Sequence, residues 1–452
     1  MSEPSASHLP FSRGVVARPW LLVFLPANAA AAGFSVALPL LILLPLHGDV
    51  LEVALAVTLY NVAIIPASLL WGVACDRLGV RAPLLLLNYV AFAGVFLVLA
   101  RWPSLPVLLV VYTAYGFIAP SSAAASNLLI LERFPASERP SAFASFSELS
   151  TLGNVAGILL GFLLLLRAPN SGLFDILYVS SAISLVSAVG VALFVRDAPV
   201  LHRRAQLARH ADSLVARLHL RFPYFPHPPS RGFFRRAAKW LETEATHEVP
   251  LMLAGGFFFG LGSGLFNTSY TPYLASIAVP AAGIFLVNLS NNGFQAALLP
   301  FTARACEGER AGGVVQAASW GRVVGYLGAF SLALLPLSFL ASGSELGANL
   351  LVYGLIGVTF AFYSTASSLL LFRSLEGRNA GSLLGANSAL GGLAAVLGSA
   401  GSGVVSHLLG FAATFLLGAV CVGCAVPAWV LALRAYLRRR NGAGRTGTPQ
   451  SA

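Results

Sequence analysis

The chain has 452 residues, of which 57% are hydrophobic and only 10% charged, with a net charge of +11 at neutral pH. An ordinary soluble domain carries about 25% charged residues, so a water-soluble globular protein is excluded. A porin-type barrel is excluded as well, because its strands alternate apolar and polar residues in segments of roughly ten, whereas the apolar runs here are long and continuous.

A hydrocarbon core about 30 Å thick takes about 20 residues of helix at 1.5 Å each. Twelve stretches meet that requirement: 20–46, 51–74, 82–100, 105–130, 141–166, 173–195, 250–275, 279–302, 323–341, 347–372, 381–404 and 410–433. Most contain Gly, Ala and Pro, which spanning helices tolerate and use for close packing. The first follows Arg13 and Arg18 and holds Ala27-Asn28-Ala29, a layout like a secretory leader with its cleavage site. Its apolar run continues to Leu46, and removing it would invert every later loop, so it is read as a retained span.

Between the second and third spans lies "GVACDRLGVR", Gly72 to Arg81, with Asp76, Arg77 and Arg81 around Gly79. Charges cannot lie in hydrocarbon, so this turn belongs at a membrane surface. Pro120 in the fourth span and Pro272 in the seventh are read as points where loosened helix flexes. In the fifth span Glu148 lies about 12 Å along the helix, deeper than any other acidic residue in the twelve segments. An intramembrane carboxyl is a proton-relay or substrate-contact candidate by default; the alternative is a carboxyl bonded to helix ends or to Arg139. Gly153, Gly157 and Gly161 follow at four-residue spacing, which suits close helix packing.

Residues 196–248 form a basic central loop with ten basic and five acidic residues. The segments 201–222 and 231–245 have helical spacing; the second sets Phe233, Phe234 and Trp240 among Arg235, Arg236 and Lys239, the pattern of a helix in the headgroup region. Five histidines (202, 210, 219, 227 and 247) match no compact ligand set, so no metal site is expected. Beyond the loop, "ARACEGERAGG" separates the eighth and ninth spans. Arg322 follows it; one reading buries it in the ninth helix, and the other, preferred here, aligns it with Arg81 by the apolar run after each and places it at the membrane interface. Cys421 and Cys424 stand in the twelfth span without a redox context. There is no phosphate-binding glycine loop, no catalytic set and no implied cofactor.

Alternating the spans from an inside N-terminus leaves only Arg101 and Arg167 outside and Arg322 ambiguous, among 28 Lys and Arg. That asymmetry puts both termini in the cytoplasm. It makes the charge a partner for anionic lipid headgroups, not nucleic acid. The chain also repeats itself. "SSAAASNLLILERFPASERPSAF" is answered about 238 residues later by "STASSLLLFRSLEGRNAGSLL", with Glu138 answering Glu376, Arg139 answering Arg378, and Asn387 answering Glu148.

The spacing Gly72, Asp76, Arg77, Gly79, Arg81 resembles the loop between helices two and three of major facilitator superfamily transporters, G-x-x-x-D-R/K-x-G-x-R/K, with Ala82 where the family has another basic residue. The repeat extends the resemblance over nearly the whole chain. It implies an all-α membrane protein with twelve transmembrane helices in two six-helix pseudo-repeat bundles. The units are a cytoplasmic tail 1–19, a bundle 20–195, the loop 196–248, a bundle 249–434 and a basic tail 435–452. It implies that Asp76, with Arg77 and Arg81, latches the cytoplasmic ends of the halves in the outward-open state. Helices one, four, seven and ten would surround the pathway, with five, eight and eleven beside them. On them Asn28, Tyr112, Tyr115, Asn154, Asn267, Tyr270, Asn291, Tyr363 and Asn387 are cavity candidates. Drug-proton antiporters of the family carry G-x-x-x-G-P-x-x-G-G in helix five; Ile158 replaces the proline here.

The expected function is secondary transport by alternating access in the plasma membrane, by a monomer. Few fixed charges appear in the spans, which points to proton-coupled efflux of neutral, lipophilic or weakly cationic small molecules. The alternatives are uptake of a sugar or other metabolite and, in a different class, a non-transporting sensor or scaffold built on the basic loop. An enzyme is not expected.

Overall fold

The computed structural model is described over residues 19–78, 81–134, 138–169, 171–195, 248–307, 309–335, 344–374 and 380–443; these are helical, with no strand among them. A single 3-10 turn, Pro19–Val23, leads into α1 (Phe24–Leu43). Then come α2 (Val50–Leu78), α3 (Ala82–Arg101), α4 (Leu105–Ile118), α5 (Pro120–Arg133), α6 (Arg139–Arg167) and α7 (Gly172–Phe194). The second half holds α8 (Glu248–Ser276), α9 (Ala281–Ala305), α10 (Ala311–Leu334), α11 (Ser344–Ser374) and α12 (Ala380–Ala443). The N-terminal tail with Arg13 and Arg18, the central loop with its helical segments and histidines, Glu376, Arg378 and the tail after Ala443 lie outside the described residues.

Local chemistry explains the departures from one helix per span. α4 and α5 form one crossing interrupted at Ala119, because Pro120 has no N–H to continue the ladder. Pro272, by contrast, sits inside an unbroken α8. α12 would be about 96 Å long if straight. It reverses at Gly410, whose φ of 85° suits a residue without Cβ, and so supplies spans eleven and twelve. Nine stretches among the described residues are long and apolar enough to cross a membrane, the longest being this doubled one. α9 and α10 complete the twelve; they are as long but more polar, with Asn288, Asn291 and Asn292 in one and Gln316 and Arg322 in the other.

One expectation is overturned here. The ninth span runs 311–334, not 323–341, so Arg322 lies near the middle of α10 and is 2% exposed. The nineteen apolar residues after it suggested an interface position. The side chain instead finds its partners within the protein.

Each half is drawn together by a glycine seam. A Cβ on Gly157 of α6 would overlap the Ala29 carbonyl of α1, and one on Gly398 of α12 would lie 2.8 Å from the Leu261 carbonyl oxygen of α8. Small residues at such crossings let backbones touch, the usual driving contact between helices in lipid. The halves meet mainly toward one end. Thr58 donates to Ser399 at 2.9 Å, His407 lies 3.6 Å from Asp49, Gly403 seats Ala54, and the Phe285 ring of α9 fills the notch at Gly161 of α6. Near mid-span Gly392 packs against Ile65, and Gly391 beside it faces open space.

Candidate functional site

α8, α11 and both arms of α12 enclose a cavity of about 470 Å³, with Phe259, Ser263, Phe360, Tyr363, Asn387 and Trp429 among its walls. Its walls include Gly391, next to Gly392, which packs against Ile65 of the first half. Gly256 and Gly260 of α8 line it, and Gly255 gives the Trp429 indole room, since a Cβ there would lie 2.7 Å from the indole nitrogen. The Tyr363 ring stacks on Phe259 with centres 3.3 Å apart, and Trp429 meets Tyr363 edge-on at 6.2 Å. The Tyr363 hydroxyl and the Trp429 Nε1 are buried beside one another, shielded from the cavity.

Arg322 stands behind this wall. Its Nε donates to the Tyr326 hydroxyl at 2.8 Å and its Nη1 to the Ile356 carbonyl at 3.2 Å. The guanidinium carbon lies 5.0 Å from the centre of the Phe259 ring and 5.5 Å from that of Phe360. The Tyr326 hydroxyl in turn reaches the Ser263 Oγ at 3.4 Å. Among the described residues no carboxylate pairs with this cation. Ring faces and a carbonyl stabilise it instead, a cation–π contact being worth about 2 kcal/mol when desolvated. The readable signal was the four-residue spacing from Arg322 to Tyr326, which puts both on one face of a helix.

The turn after α2 is built differently. Arg81, at the start of α3, is 5% exposed and donates to Glu132 of α5 at 2.6 Å and to the Cys75 carbonyl. Gly72, Asp76 and Arg77 fall on the last turns of α2; the side chains of Asp76 and Arg77, and Gly79 itself, lie outside what is described.

The Major Facilitator Superfamily profile matches residues 20–242, and the helical order found here continues that pattern through the second half. Over those residues the chain belongs to the major facilitator superfamily. Solved superfamily structures superpose on nearly all of it. A D-xylose-proton symporter shares 14% identity, covering 93% of this chain and 97% of its own, with a TM-score of 0.65. The xylose transporter XylE from E. coli, partially occluded and inward open, also shares 14%, over 92% and 97%, at 0.63. A bacterial homolog of the human lysosomal transporter Spinster, inward-facing and unoccupied, shares 14% over 95% and 98%, at 0.63. A search of curated proteins finds no match.

Of the nine polar positions that the superfamily arrangement nominated, Tyr363 and Asn387 line the cavity. Asn28 donates to the Phe24 carbonyl at 2.7 Å, and Asn291 to the Tyr353 carbonyl at 3.0 Å. Tyr270 is fully buried and donates to Asn349 at 2.9 Å. Tyr112 stacks on Tyr60 at 4.5 Å and Tyr115 on Phe92 at 4.3 Å, within the aromatic core of the first half. Asn267 is exposed and Asn154 half-buried. Glu148 is half-buried on α6, outside the cavity walls and with no ion-pair partner among the described residues. Trp429 and Arg322 were not nominated. An indole and a guanidinium in a span look like anchors until the rings of other helices are in place.

Proposed function

We propose that this multi-pass membrane protein is a secondary transporter working by alternating access, with the cavity between α8, α11 and α12 as the second half's contribution to the substrate pathway. The observation that carries the reading is the cavity itself, walled by Phe259, Tyr363, Asn387 and Trp429 and lying beside the contact of Gly392 with Ile65 of the first half. Cross-half contacts gathered at the Asp49–His407 end support an arrangement that opens toward the other end. On the charge census that other end faces the cytoplasm, with both termini, across the plasma membrane. The Asp76 turn then belongs to the end that parts, where a latch between halves would be released.

Proton-coupled efflux is the preferred direction, with Glu148 as the proton carrier: it is a carboxyl within a span, with no ion-pair partner among the described residues. Uptake of a metabolite uses the same cavity. Counterflow in proteoliposomes tests transport itself: preloaded vesicles exchange a candidate compound faster than empty ones, and the absence of accelerated exchange for every candidate rejects a transporter. For coupling, Glu148→Gln abolishes transport driven by a pH gradient while sparing exchange. Gradient-driven transport at the wild-type rate in that variant removes the proton role. The gradient orientation that drives accumulation separates efflux from uptake.

A further inference from the structure

Resting on the cavity assignment above, we propose that the site takes an uncharged amphipath. Its carboxamide-type edge, with donor and acceptor side by side, pairs with the Asn387 amide, and its apolar body runs along Phe257 and Leu390. Asn387 is exposed in the cavity wall, and its side chain makes no hydrogen bond among the described residues. An amide carries two donors and an acceptor, so it matches a group that offers one of each on a single edge. Asn side chains hold adenine by two bonds in that geometry. Gly256 of α8 keeps the space before the amide open: a Cβ there would lie 3.8 Å from the Asn387 Oδ1, with nothing else within 4 Å. Ser368 of α11 is exposed in the same wall, and its hydroxyl also has no partner among the described residues. Ser364 and Ser367 instead turn their protons back into α11, on the Ala361 and Ser364 carbonyls.

Charge is disfavoured in either sign. No Asp, Glu, His, Lys or Arg lines the cavity, so an ion entering it would shed water without gaining a counter-ion, which is costly. Arg322 stands outside the wall, behind the Phe259 and Phe360 rings. An anion gains no bond from it, and its charge opposes a cation. The apolar body has its own place. Leu253, Phe257 and Leu390 line both the cavity and an adjoining groove of about 310 Å³, whose walls are apolar throughout. A sugar, polar on every side, would leave that groove unfilled. The cavity and the groove, about 470 and 310 Å³, both fall in the range of small-molecule sites, roughly 300–1,000 Å³.

The test is calorimetry on the full-length protein in detergent near neutral pH, with probes of one shape. Para-butylbenzamide is compared with para-butylacetophenone, which keeps the acceptor and lacks the donor. Para-butylbenzoate and para-butylbenzylamine supply the two charges, and benzamide lacks the tail. The butyl amide is expected to bind at least about tenfold more tightly than the ketone, a difference near 1.4 kcal/mol, and more tightly than either ion. Asn387→Leu brings the amide-to-ketone ratio close to one, and Asn387→Asp moves the preference to the amine. Benzamide binds several-fold more weakly than its butyl form. Asn387 is exposed and unbonded, so both variants should melt with the wild type; if either fails to fold, the wild-type probe series still decides. The ketone, acid or amine binding as tightly as the amide, no amide binding, or an unchanged ratio in Asn387→Leu overturns the amide assignment. Benzamide binding as tightly as its butyl form overturns the part given to the groove. The two readings fail separately. Acid or amine binding that is abolished by Gly256→Leu, which fills the space before the amide, leaves the cavity intact and removes the amide. Asn387-dependent amide binding with no exchange in liposomes leaves the amide and removes transport.

Discussion

Arg81 and Arg322 are both buried arginines, one in each half, and they are satisfied in opposite ways. Arg81 sits at a turn, caps itself on the Cys75 carbonyl and pairs with Glu132. Arg322 sits inside a helix and leans on Tyr326, the Ile356 carbonyl and aromatic faces. A carboxylate partner cancels a charge and leaves it structural; rings and carbonyls hold the charge in place without cancelling it. The same residue type thus ties the first half together and leaves an uncancelled positive field beside a cavity in the second.

Several substitutions would break or sharpen that contrast. The largest effect is expected at the glycine seams. Gly157→Ala drives a methyl into the Ala29 carbonyl, backbone against backbone, and should cost more than about 3 kcal/mol or prevent folding. Gly398→Ala, with 2.8 Å to work with, should cost about 1–3 kcal/mol. Equal losses in a thermal melt would mean that the first half is not the tighter one. Next, Glu132→Ala removes one partner of Arg81, and a loss of about 1.5–3 kcal/mol is expected for a hydrogen bond to a charged group; an unchanged melting temperature would show the pair to be idle. Arg322→Met should move stability by less than about 1 kcal/mol in either direction, because replacing a buried charge with an apolar side chain is often neutral. A collapse there would make Arg322 a structural post and not a field source. The smallest effect belongs to Asp49→Asn. It retains the cap on Leu51 and Glu52 while removing a half-exposed pair with His407, for about 0–1 kcal/mol that fades at high salt.

Much of the fold was legible because the bilayer imposes one rule on every span, and hydropathy records it residue by residue. The break before Pro120 was legible for the same local reason. Arg322 was misplaced because most of its neighbours in sequence are apolar, while of the groups that hold it only Tyr326 is near in sequence and the others come from α8 and α11, more than thirty residues away in either direction. The nine cavity candidates show the complementary limit. A polar residue in a span must be bonded, but sequence does not say to what. Asn28 donates to its own helix and Tyr270 to Asn349, while Tyr363 looks no different in sequence and lines the cavity. Glycine spacing in α6 supported two readings, and the overlap at Ala29 accounts for Gly157 by packing alone.

Phe285 rests in the notch left by Gly161, at the end where the halves touch. A ring in a glycine notch has no bond direction to be broken, so it resists sideways slip while offering little opposition to withdrawal along its own axis. In mechanical terms this contact is a bearing, and the hydrogen bond from Thr58 to Ser399 is the catch beside it. Even a methyl group on residue 161 would jam that bearing.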